Sequence, residues 1–323
     1  MGRSVRLLLI VAVLVLCAGM LFAAGRREAE PGEEGITAPV TVIIPAGPGG
    51  GTDLVTRIVA NNIRPHLGYE WRVSNMPGGA SVPAQEEVQR SDTDGHTLLL
   101  FHTMMHTTNA IDISPYTWEN YEPIARVAMS PGIVAVHADS PWQSIQDLYE
   151  YGRDNPGELT YAMESGGTSH FLGVGIGNAL GIDWTLAHIG GGSDRISALH
   201  GRHVDVIYEV VGAINPHIES GDFRGLAVLA EQRTDFAPGI PTMKEEGFDI
   251  VFSMPYYVFA PKGTPAATVA MLADAIEATV ATDSVRQELA NIDHEPAFLS
   301  GQALREVLRD EVEFINEWAQ AID

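Results

Sequence analysis

The sequence is poor in two residue types that carry much protein chemistry. Among 323 residues it has one cysteine, Cys17, and two lysines, Lys244 and Lys262. A single cysteine excludes an intrachain disulfide framework, a multi-cysteine zinc site and an iron–sulfur cluster. Lysine and arginine together number 19 against 42 aspartates and glutamates, which gives a formal net charge of −23. So acidic a surface repels phosphate backbones and anionic lipid, and no nucleic-acid partner is expected.

Long apolar runs are also scarce, and the one present lies at the N-terminus. Arg3 and Arg6 precede an apolar stretch from Leu7 to Ala24, which ends in small residues. This pattern is typical of a secretory signal, so residues 1–25 are predicted to be a signal peptide and the protein to be periplasmic or otherwise extracytoplasmic. A retained membrane anchor and a tether through lipidated Cys17 remain alternatives.

Residues 26–38 hold four glutamates and two glycines and are predicted to be a flexible polar lead-in. Beyond them, short β-rich runs alternate with amphipathic stretches, from Val40–Ile44 through Ile133–Val136 to Tyr256–Phe259, which is predicted to be the last strand. Ser144, with Asp147 three residues on, is expected to open the helix after Ile133–Val136. Helices are then expected at Ala266–Val280, Val285–Ile292 and Leu304–Ile322. This alternation predicts an α/β fold with parallel strands and crossover helices.

The chain is long enough for two α/β lobes. We expect lobe 1 to comprise residues 39–132 and 256–323 and lobe 2 to comprise residues 133–255. A chain that passes twice between two lobes forms a hinge with a cleft beside it. The predicted architecture is therefore two-lobed, with a hinge and an inter-lobe cleft.

The strongest local pattern is the glycine-rich segment Pro45–Asp53, which joins a predicted buried strand to a predicted helix. Free N–H groups and the helix dipole favour an anion at such a junction, and glycines let the backbone approach it closely. Thr52 or Asp53 could cap the helix, and the Thr52 hydroxyl could donate to a carboxylate. Nucleotide motifs do not fit, because no lysine precedes Lys244 and Thr52 stands where a dinucleotide fingerprint needs glycine. A plain glycine turn without a ligand is the alternative.

Two further loops have the same composition and the same position after a predicted strand. They are Glu164–His170 and Gly190–Asp194. In open α/β sheets ligands bind at the carboxyl ends of strands, where all three loops are expected. Three such loops, divided between two lobes, indicate a cleft whose two walls both present N–H and hydroxyl donors.

An ordered set of motifs resembles one family, the substrate-binding proteins of tripartite tricarboxylate transporters, also called Bug proteins. The similarity runs in order from about Pro39 to the C-terminus. Besides the first glycine loop it comprises Asn75–Ala80, Asp94–Leu99, Gly201–Val206, Arg224–Val228, Pro241–Thr242 with Glu246–Gly247, and Phe259–Pro265. Any one motif is weak, but the ordered set is specific.

The resemblance implies a type II periplasmic-binding-protein fold that closes on a small carboxylate and delivers it to the permease subunits in the membrane. It implies a monomer that needs no cofactor and no metal. Carried over residue by residue, it places the ligand against Gly47, Gly50, Gly51, Thr52, Asp53, His102, Thr103, Gly166, Thr168, Ser169, His170, Gly191, Gly192 and Ser193. The family often has Tyr-Lys-Gly near Ile189–Gly191, and this chain lacks both the tyrosine and the lysine.

Other functions have weaker sequence support. His102 and His106 have the i, i+4 spacing of a metal pair, but ligand-lining or hydrogen-bonded loop histidines are the favoured interpretation. Neither a Gly-x-Ser-x-Gly nor a His-Glu-x-x-His motif occurs, although Asp53 and Glu209 could form an acid–base pair. An exported hydrolase or lyase and a ligand-presenting sensor subunit therefore stay as alternatives to the transport receptor.

Overall fold

The computed structural model describes residues 35–320. The predicted signal peptide at 1–25, Cys17 and most of the lead-in at 26–38 lie outside the described residues. Within the described part of the chain, no helix combines the length and the apolar character needed to cross a bilayer.

Ten strands form the sheet structure of residues 35–320. They are β1 (Val40–Ile44), β2 (Trp71–Asn75), β3 (Thr97–Phe101), β4 (Tyr121–His137), β5 (Thr160–Met163), β6 (Thr185–His188), β7 (Val206–Val210), β8 (Phe223–Val228), β9 (Ser253–Pro261) and β10 (Glu295–Ser300). The valine- and isoleucine-rich β1 is buried along almost its whole length and stops at Pro45, as its sequence predicts.

Eleven α-helices are found among residues 35–320. They are α1 (Gly51–Asn62), α2 (Arg64–Leu67), α3 (Val82–Arg90), α4 (Met104–Ala110), α5 (Ile145–Asp154), α6 (Thr168–Leu180), α7 (Gly192–His200), α8 (Val211–Glu219), α9 (Ala266–Val280), α10 (Asp283–Ala290) and α11 (Gly301–Ala319). The side chain of Ser144 accepts a hydrogen bond from the Asp147 N–H and caps α5, as predicted.

The strands form two groups that share β4. The first group has the order β2-β1-β3-β9-β4-β10, with β1, β2 and β3 parallel and β9, β4 and β10 antiparallel to their neighbours. The second group has the order β6-β5-β7-β4-β8, with β5, β6 and β7 parallel. Helices cover both groups, which confirms the predicted α/β fold class.

β4 passes from the first group to the second at Pro131 and Gly132. Pro131 pairs with Ser253 of β9, whereas Gly132 pairs with Val210 of β7. The chain returns to the first group where β9 begins at Ser253. Separate hydrophobic clusters pack on the two groups, so each has a core of its own. The lobe boundaries at 132/133 and 255/256 stay a prediction.

Two sequence expectations are wrong in detail. Ile133–Val136 is only the last part of the 17-residue strand β4. Tyr256–Phe259 is not the last strand, because β10 follows at Glu295–Ser300 and pairs with β4. Pro123, Pro131 and Pro296 interrupt the β-rich pattern of these strands. Pro123 and Pro296 lie at register shifts, where prolines are tolerated, and Pro131 lies at the end of the pairing with β9.

The C-terminal helix α11 contacts both groups of strands. Leu304 and Leu308 are buried in a cluster on the first group, with Tyr257 and Phe259 of β9. Farther along the helix, the Trp318 ring lies where a β-carbon on Gly175 of α6 would be, only 1.7 Å from that position. Position 175 therefore has to be glycine for α11 and α6 to pack this closely.

Candidate functional site

The strand register brings the predicted ligand loops to one region. Phe101, at the carboxyl end of β3, pairs with Tyr257, and the adjacent Tyr256 pairs with Ala128 of β4. Val210, at the carboxyl end of β7, pairs with Gly132 only four residues farther along β4. β1 is parallel to β3, and β5 and β6 are parallel to β7. The carboxyl ends of all five strands therefore point toward the place where β4 passes between the groups.

Asp53 organises the loop between β1 and α1. Its carboxylate accepts hydrogen bonds from the Gly49 N–H at 2.9 Å, from Arg57 Nε at 2.9 Å and from Asn75 Nδ2 at 2.8 Å. Burial acts to raise the pKa of this carboxyl, but the bonds from Arg57, Gly49 and Asn75 outweigh burial and lower the pKa from 3.8 to about 2. Asp53 is therefore an ionised group whose acceptor atoms are used within the loop.

The N-terminus of α1 has backbone donors to spare. The helix is capped by Gly50 without a side-chain hydrogen bond, so the expected cap at Thr52 or Asp53 is wrong. Among the described residues, no backbone acceptor is found for the N–H groups of Gly51, Thr52 and Asp53. These three donors lie at the positive end of the helix dipole, which favours an anion.

The loop between β5 and α6 is held mostly by its own polar groups. Glu164 N–H donates to Ser169 Oγ at 3.0 Å, and Gly166 N–H donates to His170 Nδ1 at 3.2 Å. Thr168 differs from its neighbours, because its hydroxyl is buried and has no hydrogen-bond partner in the described structure. An unpaired buried hydroxyl costs free energy, so Thr168 Oγ1 is a donor that a ligand could satisfy.

The loop between β6 and α7 rests on a buried ion pair. Arg195 Nε donates to Glu209 Oε1 at 2.9 Å, and Arg195 Nη1 donates to the Gly190 carbonyl at 2.7 Å. A β-carbon on Gly192 would lie 3.1 Å from Glu209 Oε2. Burial raises the pKa of the Glu209 carboxyl, and the Arg195 guanidinium opposes this shift. The pair fixes the backbone of the loop from beneath.

Tyr256 of β9 connects three of these regions. A β-carbon on Gly51 would lie 2.9 Å from the Tyr256 hydroxyl, which is 3.1 Å from His294 Nε2. The His102 ring meets the Tyr256 ring edge-on, with centroids 6.3 Å apart. Burial, and then the charge of Glu209, raise the pKa of Tyr256. The α1 N-terminus, His294 and His102 therefore lie around one tyrosine, and the charge of Glu209 acts on its hydroxyl.

The two predicted site histidines are neutral hydrogen-bonding groups. Burial lowers the pKa of His102 to about 4, although Glu311 acts in the opposite direction. Burial, and then His188, lower the pKa of His170. Nδ1 of each ring accepts a backbone N–H, from Met104 and from Gly166 respectively. This leaves Nε2–H as the available donor on each ring.

The fourteen predicted site residues differ in exposure. Gly47, Gly50 and Ser193 are exposed, whereas Thr52, Asp53, Thr103, Gly166, Thr168 and Ser169 are buried. A β-carbon on Gly166 would lie 2.6 Å from Ile113, just beyond α4, so the second loop touches the segment that follows His102 and Thr103. A cavity of about 680 Å³ lies nearby between β9, β4 and α11, and Thr103 is the predicted site residue that lines it.

Sequence reasoning missed the groups that hold the loops in place. Arg195, Tyr256 and His294 were not singled out, and Glu209 was named only as one half of a possible acid–base pair. The position of Arg195 in the first turn of α7, next to the third glycine loop, was a usable signal. No local pattern connects His294 with Tyr256, which lies 38 residues earlier.

Comparisons with known proteins agree with this geometry. The family model described as tripartite tricarboxylate transporter family receptor matches residues 55–323. The chain is 32% identical over 269 residues to a UPF0065 protein in the gbd 5′ region of Cupriavidus necator, covering 82% of this chain and 81% of that protein.

Two solved structures share the fold over nearly their whole length. The periplasmic binding protein BugD is 28% identical with a TM-score of 0.77, covering 88% of this chain and 98% of that one. Rpa4515 from R. palustris, solved with adipate, is 27% identical with a TM-score of 0.80, covering 88% of this chain and 97% of that one. From the family model and these likenesses, the chain belongs to the tripartite tricarboxylate transporter receptor family, a family of periplasmic binding proteins and not of enzymes.

Proposed function

We propose that this receptor binds a small carboxylate between the loops that follow β1, β3, β5 and β6. The observation that carries the proposal is the set of unpaired backbone N–H groups at the N-terminus of α1. This N-terminus, like those of α6 and α7, follows a strand whose carboxyl end points toward the place where β4 passes between the two groups of strands. The buried, unpaired hydroxyl of Thr168 adds a donor from the second group of strands. The adipate in the Rpa4515 structure supports the same ligand class.

The binding energy needs no cationic side chain. A hydrogen bond to a charged group contributes about 1.5–3 kcal/mol net, so four to six of them can offset the entropy lost on binding. Four to six such bonds total about 6–18 kcal/mol before the entropy cost, so the net value of about −8 kcal/mol for a dissociation constant near 1 μM is within reach. The net charge of −23 acts through screened solvent, whereas the N–H donors act at contact distance.

The receptor function further implies movement and a partner. We propose that residues 39–132 with 256–323, and residues 133–255, act as two lobes that close on the ligand about the β4 and β9 crossings. The closed receptor then delivers the carboxylate to the permease subunits of a tripartite tricarboxylate transporter.

We also propose that the protein is exported and that its signal peptide is cleaved after residue 25, with lipidation of Cys17 as the alternative. Intact-mass spectrometry of the protein recovered from cells distinguishes the two.

Titration calorimetry with adipate, malate, citrate and benzoate tests the proposal. We expect saturable binding of at least one carboxylate without product formation. Thr168→Val should weaken that binding by about 1–3 kcal/mol, or roughly five- to 150-fold, because a donor is lost. Thr52→Val should act in the same direction. Thr279→Val is the matched control, since its buried hydroxyl donates only within α9, to the Ala275 carbonyl.

The outcomes separate ligand binding from folding. Removing the unpaired hydroxyl of Thr168 should leave the stability of the ligand-free protein unchanged or slightly raised. Equal affinities of the wild type, Thr168→Val and Thr52→Val would show that neither threonine hydroxyl binds the ligand. Absence of saturable binding across the panel, or turnover of a ligand, would contradict the proposed function.

A further inference from the structure

Three metal-ligating side chains meet on the second group of strands, away from the ligand loops. His200 is the last residue of α7, His217 lies in the last turn of α8, and Asp222 immediately precedes β8. One ligand atom from each residue lies within 4.8 Å of those of the other two. His200 and Asp222 are exposed and His217 is half-buried, so solvent reaches the cluster.

The histidine pair already has the separation that a shared ion requires. His200 Nε2 and His217 Nδ1 lie 3.0 Å apart and share a hydrogen bond, whose proton a bound metal ion would displace. Nitrogen atoms bound to one zinc ion at about 2.0–2.1 Å are roughly 2.8–3.4 Å apart for bond angles between a right angle and the tetrahedral value. Both rings also pack on the buried Phe223, at centroid distances of 4.4 Å and 4.9 Å, which restricts their rotation. The pair is therefore held near the geometry of a bidentate site.

The carboxylate is oriented by a separate set of bonds. Ser220 Oγ donates to Asp222 Oδ2 at 2.6 Å, and the Asp222 N–H donates to the His217 carbonyl at 2.9 Å. The Ala138 N–H in turn donates to the Asp222 carbonyl at 2.8 Å, which fixes the backbone of this residue. A hydrogen-bonded carboxylate beside two imidazoles is the arrangement of an outer-shell-supported metal site.

The surroundings favour a cation. The C-terminal ends of α7 and α8 both lie at the cluster, and a helix C-terminus carries partial negative charge. The acidic chain also raises the local concentration of cations. Two imidazole nitrogens and one carboxylate suit zinc and its neighbours in the first transition series and do not suit magnesium or calcium, which prefer oxygen ligands.

We propose that His200, His217 and Asp222 bind one divalent transition-metal ion such as Zn²⁺, with water in the remaining coordination position. The bound ion ties the ends of α7 and α8 to the start of β8. This site is independent of the proposed carboxylate site, and it departs from the expectation of no metal that the family resemblance gave.

Calorimetric titration of the purified, tag-free and chelator-treated protein with ZnCl₂ tests the site. We expect one Zn²⁺ per chain, and we expect His200→Asn and His217→Ala each to weaken binding at least tenfold. Asp222→Asn should weaken it less. His137→Asn is the matched control, because its ring also packs near Phe223, at 6.5 Å, but does not belong to the cluster.

A second measurement guards against misfolded variants. Saturating Zn²⁺ should raise the thermal unfolding midpoint of the wild type and of His137→Asn, but not that of His217→Ala. No saturable Zn²⁺ binding by the wild type, or equal affinity in the wild type and both cluster histidine variants, would overturn the proposal. Carboxylate affinity, measured on the same variants, should stay unchanged, so this proposal and the proposed function can fail separately.

Discussion

The β1–α1 loop and the β6–α7 loop are both glycine-rich, and each is held by an arginine–carboxylate pair, yet the pairs lie in different surroundings. The Arg57 side chain that meets Asp53 is 45% exposed, whereas the Arg195 side chain that meets Glu209 is 8% exposed. The first pair orders a loop from the protein surface, and the second supports a loop from within the core. Similar local sequences therefore serve loops whose stability should respond very differently to mutation.

Breaking the buried pair should have the largest effect. Arg195→Met leaves Glu209 without its partner, and we expect a loss of about 3–5 kcal/mol in the free energy of unfolding at pH 7. Urea denaturation measures this loss. The double variant Arg195→Met/Glu209→Leu should recover much of it, because no charge then remains buried without a partner. A loss below about 1 kcal/mol in the single variant would contradict the distinction between the loops.

Removing the carboxylate of the first loop should have a smaller, pH-dependent effect. Folding lowers the pKa of Asp53 from 3.8 to about 2, so the ionised carboxylate stabilises the fold above about pH 4 and this stabilisation is lost as the pH falls toward 2. Asp53→Asn should cost about 1–2 kcal/mol at pH 7. The difference from the wild type should shrink in denaturation experiments at pH 2.5. A difference that is independent of pH would show that the ionised form is not what holds the loop.

Removing the exposed arginine should have the smallest effect. Arg57→Met breaks a solvent-screened i, i+4 pair, and we expect a loss of about 0.3–1 kcal/mol. Its clearest consequence should be a shift of the Asp53-dependent loss of stability to higher pH, because a group that lowers the pKa of Asp53 is gone. Denaturation midpoints between pH 2 and pH 5 measure the shift. An effect as large as that of Arg195→Met would remove the contrast between the two pairs.

Elements of the fold could be predicted from the sequence where their local residue pattern is strong. Val40–Ile44 was recognised as β1 because a run of four β-branched apolar residues and Thr41 ends at a proline. The first half of β4 and all of β10 were missed, since prolines and polar residues obscure strands whose stability comes from pairing with distant segments. The glycine loops could be recognised because, like β1, each has a distinctive local sequence. The residues that hold these loops in place have no such local pattern.

The site was predictable only as far as it is local. The pairing of Glu209 with Arg195 and that of Tyr256 with His294 depend on how strands and helices pack. The meeting of His200 with His217 is equally invisible, because 17 residues separate them in the chain. Such contacts come from the tertiary fold, so the sequence could suggest which loops face the ligand but not what holds them.

The contact between Trp318 and Gly175 also provides an optical probe. The other four tryptophans, Trp71, Trp118, Trp142 and Trp184, are each at most 7% exposed and lie in the cores, whereas Trp318 is half-buried against α6. A shift of α11 relative to α6 would move this indole from its contact with the α6 backbone at Gly175 into water, or the reverse. The emission of that one fluorophore can therefore report, without a label, whether ligand capture changes the contact between the two elements.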